Sequence, residues 1–162
     1  CVGSRDAGLT LFAFLGGDRA MAHSATLRAA PDDPLLHLLP EQSATVRRAQ
    51  TWLLRIVDAA GALRARGYHP ALHAELHFAI EDTVLPTNAG NVVLHVAAGH
   101  GEVAPGGAGR LRLDVRALAS LYTGYLSAGQ LASIGALDGP TADLALADLV
   151  FSSAHPRLID GY

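Results

Sequence analysis

An α+β fold, with a mainly antiparallel sheet covered on one face by helices, is what the patterning of this chain predicts. Three observations carry the expectation. Residues Leu72, Ala74, Leu76, Phe78 and Ile80 alternate with His73, Glu75, His77, Ala79 and Glu81, the period of a strand with one apolar and one mostly polar face. Further apolar runs, Val92–Ala97 and Leu111–Val115, are separated by Pro105-Gly106-Gly107-Ala108-Gly109, whose residues suit a hairpin turn. The last third carries helix caps and helical spacing. Strands joined by hairpins and followed by helices argue for a sheet with helices on one side. A doubly wound parallel sheet would need strand and helix to alternate throughout.

In chain order, Asp6–Leu15 places Leu11, Phe14 and Leu15 on one helical face, and Gly16-Gly17 is expected to stop that helix. Met21–Ala29 reads as a strand. Pro31-Asp32-Asp33-Pro34 breaks the chain before a short apolar turn at Leu35–Leu39 that Pro40 closes, and Glu41–Gln50 reads as a polar connector. From Thr51 the α+β pattern begins. Trp52–Val57 is expected to be a strand, Asp58 to cap the following helix and Gly67 to end it. Asp114 caps a helix over Val115–Leu121. Ser127 and Gln130 have the spacing of a capping box for a short helix that Gly135 ends, and Thr141 begins a last helix reaching about Phe151.

The chain has 162 residues, half of them hydrophobic, which suits one domain or one domain with a short attached segment. A formal charge of -3 gives no electrostatic reason to expect nucleic acid. All twelve basic residues are arginine, so a Schiff-base lysine and a P-loop lysine are both excluded. The single cysteine, Cys1, rules out an intramolecular disulfide and fits a reducing cytoplasm. No apolar run approaches the ~20 residues of a membrane span. A chain that opens on Cys is read here as a portion of a longer polypeptide and not as an acylated lipoprotein.

Little in the sequence points to chemistry within the chain. His73, Glu75 and His77 share one strand face, but neighbours on that face are spaced ~6.5–7 Å apart, wide for one tetrahedral metal, and no metal is expected. There is no nucleophile elbow. The glycines at 106–109 lead into a strand, whereas a phosphate cradle leads into a helix N-terminus. Asp58 and Asp114 read as helix caps, and His100 as a loop residue. Leu63, Leu118, Leu121 and Leu131 either fill a core or line an apolar cavity.

Several phrases nevertheless resemble one family when taken in order: Trp52–Tyr68 (WLLRIVDAAGALRARGY), Asp82-x-x-Leu85-Pro86-x-Asn88-x-Gly90, Leu111–Leu126 (LRLDVRALASLYTGYL), and Phe151 with Pro156, Asp160 and Tyr162. They resemble the C-terminal, sterol-carrier-protein-like domain of the enhanced-intracellular-survival (Eis-like) class of GNAT N-acetyltransferases. The resemblance implies that residues 1–46 are the tail of a central GNAT-like domain with its connector, and residues 47–162 the C-terminal domain. It implies transfer of acetyl from acetyl-CoA to an amine acceptor by the whole protein, as a homo-oligomer in the cytoplasm. Its partners would be the upstream GNAT domains and the acceptor, with neither nucleic acid nor membrane.

The family's Q/R-x-x-G-x-G/A cofactor loop is absent from this sequence, so acetyl-CoA is expected in the upstream domain and no cofactor in this chain. In relatives the C-terminal carboxylate serves as general base; the matching position is Tyr162. A different reading, a stand-alone carrier of lipid or another hydrophobic ligand, is the alternative.

Overall fold

The computed structural model describes residues 3–17, 23–30, 32–39, 43–49 and 52–157. Leu53–Pro156 form one compact unit, and the flanking Cys1–Trp52 and Arg157–Tyr162 fall in another. In the flanking unit, helix α1 (Arg5–Gly17) includes Gly16 and Gly17, the pair expected to stop it, and the residues just after them lie outside the described ones. Residues 23–29 of the expected first strand have no regular structure, and its first two residues lie outside the described ones. Asp33 accepts from the Leu35 amide at 3.0 Å and so caps a 3₁₀ turn, Pro34–Leu38.

The larger unit is an α+β sandwich. It comprises α2 (Ala59–Ala65), β1 (Ala74–Glu81), β2 (Gly90–Ala97), β3 (His100–Pro105), β4 (Leu111–Asp114), α3 (Val115–Thr123), α4 (Ala128–Ser133), β5 (Leu137–Asp138) and α5 (Thr141–Val150). The sheet order is β3-β2-β1-β4-β5. All neighbours are antiparallel except β1 and β4, which pair in parallel with Phe78 opposite Leu111. Local chemistry sets the helix starts as expected: Asp58 accepts from the Gly61 amide, Asp114 from those of Arg116 and Ala117, and Ser127 with Gln130 forms the reciprocal box.

Alternation along the strands decides which face is covered. Leu76, Leu94 and Val103 lie side by side across three strands, as do Ile80, Leu113 and Leu137, and all six are buried. They share one core with Leu63, Leu118, Leu131, Ala147 and Phe151 from the helices and the α5 exit. Leu63, Leu76, Phe78, Leu94, Leu111 and Leu118 are each 0% exposed, so the space between sheet and helices is filled. No helix among the described residues is long and apolar enough to cross a membrane.

Two further expectations are corrected. Trp52–Val57 has no regular secondary structure and no ladder partner among the described residues; Arg55 and Ile56 are held instead by side-chain hydrogen bonds. The run Pro105–Gly109 is not a hairpin turn, because a strand unrecognised in the sequence, β3, intervenes and begins at His100. Two strands separate β3 from β4, so the glycine run crosses the sheet over the face opposite the core that these helices cover. There the Ala108 amide donates to His77 Nδ1 at 3.1 Å, and Asn91 Nδ2 donates to the Gly107 carbonyl at 3.1 Å. Gly107 has φ +93, and a Cβ on it would overlap Val93 and lie 2.6 Å from His77 Nδ1. Both the backbone conformation and the lack of room require glycine there.

Candidate functional site

On the crossed face, Glu75 is the centre of a small polar cluster. Its carboxylate meets His77 Nε2 at 2.7 Å and, across the β1–β2 ladder, His95 Nδ1 at 3.2 Å. The hydrogen bond from His77 holds the Glu75 carboxyl below its ordinary value, with the charges of His95 and Arg110 acting in the same sense. His77 accepts from Ala108 at Nδ1, so its single proton sits on Nε2 and points at Glu75. That tautomer leaves Nε2 no lone pair for a metal. Among the described residues no group of three His, Cys, Asp or Glu is arranged to hold one. His73, grouped with Glu75 and His77 by the sequence, precedes the strand and takes no part in the cluster.

A second cluster binds the segment before α2 to the end of β1. Asp82 is buried and accepts from Arg55 Nη2 at 2.6 and 2.8 Å, from Asn88 Nδ2 at 3.0 Å, and from the Val84 and Leu85 amides. Burial alone would raise its pKa. The donors outweigh burial and hold the carboxyl well below the usual carboxylate range. Asn88, also buried, accepts from the first amide of α2 at 2.9 Å and donates to the Ile56 carbonyl. Every functional group here is spent on the fold.

The third site lies where the chain leaves α5. Arg66, which caps the C-terminus of α2, donates from Nη1 to the Tyr122 carbonyl near the end of α3. It donates from Nη2 to the Phe151 carbonyl at the end of α5, at 3.1 Å. Its guanidinium carbon stands 5.8, 5.5 and 5.3 Å from the ring centres of Tyr68, Tyr122 and Phe151. The negative ends of helix dipoles and three ring faces thus surround a cation that, among the described residues, no carboxylate pairs with. Desolvation lowers the Arg66 pKa. It also pushes the Tyr68 phenol up to about 12, against the Arg66 charge, and that hydroxyl donates to the Leu63 carbonyl at 2.7 Å.

Beyond Phe151 the chain is laid back over the end of α3. Ser153 Oγ donates to the Thr123 carbonyl at 3.3 Å, and the His155 and Tyr125 rings are 5.8 Å apart. Gly124 is the left-handed cap of α3, with φ +71, and a Cβ on it would collide with Ser153 Oγ. These groups border a surface cleft of about 380 Å³ that Ser127, Gln130 and Asp148 also line. A neighbouring cleft of about 330 Å³ opens between Tyr68, His69, Leu72 and Leu149. Tyr162, the position matching the family's base, lies outside the described residues.

None of Arg66, Gly124, Ser153 and His155 was singled out as functional from sequence. Arg66, Tyr122, Gly124 and Phe151 do lie within the phrases that carry the resemblance. Their meeting depends on tertiary structure.

A family model described as a sterol carrier protein domain matches residues 59–159. No curated protein matches the sequence. Among solved structures, the chain is similar to a GCN5-related N-acetyltransferase from Anabaena variabilis, with 40% identity over 98% of this chain and 41% of that one, and a TM-score of 0.94. A GCN5-related N-acetyltransferase from Kribbella flavida is 33% identical over 94% of this chain and 40% of that one, with a TM-score of 0.81. Eis1 from Mycobacterium abscessus is 29% identical over 82% of this chain and 34% of that one, with a TM-score of 0.67. The chain spans about two fifths of the length of the first two.

Proposed function

The chain belongs to the sterol carrier protein domain family, and from that premise we propose that it is the C-terminal portion of an Eis-like GNAT N-acetyltransferase. The observation that carries the reading is the likeness to the Anabaena enzyme over 98% of this chain at 40% identity. On this reading, residues 1–46 complete a central GNAT-like domain and residues 47–162 form the sterol-carrier-like domain. Acetyl-CoA binds in an upstream domain. This portion shapes the pocket of the amine acceptor and supports a cytoplasmic homo-oligomer. On the same resemblance, a carboxylate at Tyr162 is the base that takes a proton from the acceptor ammonium; such a group contributes typically ~10²–10⁴ in rate when it reaches its proton.

The filled core argues against the lipid-carrier alternative. Leu63, Leu118, Leu121 and Leu131, the side chains that would line a cavity between sheet and helices, are 0, 0, 1 and 2% exposed and pack in one cluster with the strands.

The test compares this chain with the full-length protein, each incubated with acetyl-CoA and a panel of amines (an aminoglycoside and a lysine peptide among them), with CoA thiol release as readout. Release by the full-length protein and none by this chain is the expected result. Release by neither, with lipid retained by this chain in native mass spectrometry, would replace the proposal with the carrier reading.

A further inference from the structure

Asn91 and His77 tie the glycine run at 106–109 down onto the sheet, and of these two side chains only His77 titrates. The Asn91 carbonyl accepts from the Gly106 amide at 2.7 Å, and Asn91 Nδ2 donates to the Gly107 carbonyl at 3.1 Å. His77 Nδ1 accepts from the Ala108 amide at 3.1 Å. An imidazole nitrogen accepts only while it carries no proton. A second proton on His77 would set one donor against another, so proton uptake at Nδ1 and the hydrogen bond from Ala108 exclude each other.

We infer that residues 106–109 form a proton-sensitive strap, latched by neutral His77 and released at Ala108 when His77 takes up a second proton. On β1, Glu75 accepts from His77 Nε2 at 2.7 Å and favours the added proton. That carboxylate is half exposed, and His95 of β2 holds its other oxygen at 3.2 Å, so its help is screened and shared. Glu102 of β3 stands opposite His95 in the ladder. Two cations oppose a charged His77: Arg110 at the strap's exit, paired with Asp143 of α5, and Arg112 of β4, which stands opposite Ala79. Val93, opposite His77 on β2, carries no charge. Residues 105–108 are exposed, so water takes up the freed amide and release costs little. Asn91 and the Arg110–Asp143 pair keep the two ends of the strap in place, which makes the opening local; it uncovers Val93 and the His77 ring. The released ring has a nitrogen free for the second proton and the latched ring has none, so falling pH favours release.

The experiment is hydrogen–deuterium exchange of the full-length protein, read by mass spectrometry on a peptide spanning residues 104–111 and normalised to the intrinsic exchange rate at each pH. Between about pH 7.5 and about pH 5.5, where histidine changes charge, protection of that peptide should fall about threefold or more, the scale of one lost hydrogen bond. A peptide from α3 should change by less than about twofold over the same range, showing that the fold persists. H77N puts a side-chain oxygen where Nδ1 stands and cannot titrate, so it should keep the strap latched and abolish the pH dependence. H77F offers no acceptor and should show the released level throughout. H95Q should retain the pH dependence of the wild-type protein. Strap protection that does not change with pH in the wild-type protein overturns the proposal. So does a pH dependence that survives in H77N or H77F, or one that disappears in H95Q. The wild-type comparison of strap and α3 peptides decides the matter even where a variant fails to fold.

Discussion

Arg66 and Phe151 are joined twice: the guanidinium donates to the Phe151 carbonyl at 3.1 Å and stands 5.3 Å from the centre of its ring. With the Tyr122 carbonyl as its other acceptor, Arg66 pins the C-terminal ends of α3 and α5 against that of α2. Replacing it by methionine keeps much of the stem's packing and leaves two helix-end carbonyls without their charged donor. Arg66→Met should cost about 2–3 kcal/mol in urea unfolding, the range for losing hydrogen bonds to a charged group. Arg66→Lys should recover only part, since an ammonium cannot lie flat among three rings while bonding both carbonyls. A loss below ~0.5 kcal/mol would mean the contacts are incidental.

The β2–β3 turn contains a residue that fits it poorly. Ala98 has φ +50 and is followed by Gly99 with φ +84 in a two-residue connection between the paired Ala97 and His100. Both central positions of such a turn need positive φ, which alanine adopts at a cost. Ala98→Asn should therefore stabilise the protein by about 0.5–1 kcal/mol, read as a raised denaturation midpoint with an unchanged slope. A destabilised Asn variant would contradict the turn as described.

Much of the fold was legible because local rules dominate it. The caps at Asp58, Asp114 and Ser127 and the alternation through Leu76, Phe78 and Ile80 are short-range signals, and the structure keeps each of them. The misses are non-local. The apolar and β-branched residues of Trp52–Val57 satisfy strand propensity, yet no neighbouring strand pairs with them. The glycine run has the composition of a hairpin turn, and composition does not reveal that two strands must be crossed. Likewise, the family phrases were visible singly. Only the fold shows that Arg55 in one meets Asp82 in another, or that Arg66, Tyr122 and Phe151 from three of them meet at one point.

The crossing loop yields a paired test. Gly106 and Gly107 have nearly the same φ, +97 and +93, but a Cβ on Gly106 would meet nothing, while one on Gly107 would meet Val93 and His77. Gly106→Ala isolates the backbone cost, about 1 kcal/mol. Gly107→Ala adds a steric clash to it and should cost about 2–3 kcal/mol. Equal losses would show that the loop does not lie on the sheet.

Asp82 supplies a pH dependence whose sign is fixed by its surroundings. Its donors are Arg55, Asn88 and the Val84 and Leu85 amides, and they depress its pKa in the folded state below that of the unfolded chain. The unfolded chain then binds the proton more tightly than the fold does. The carboxylate's contribution is fully present above the unfolded-state value of ~3.9 and is lost as the pH falls from there toward the folded-state value. Urea midpoints measured from pH 6 downward should hold until about pH 4.5 and then drop. In Asp82→Asn the amide still accepts at its oxygen, but it cannot take Arg55 at both positions and carries no charge. That variant should begin less stable at pH 6 and show a shallower acid decline. Parallel declines in the two proteins would assign the acid sensitivity to other carboxylates.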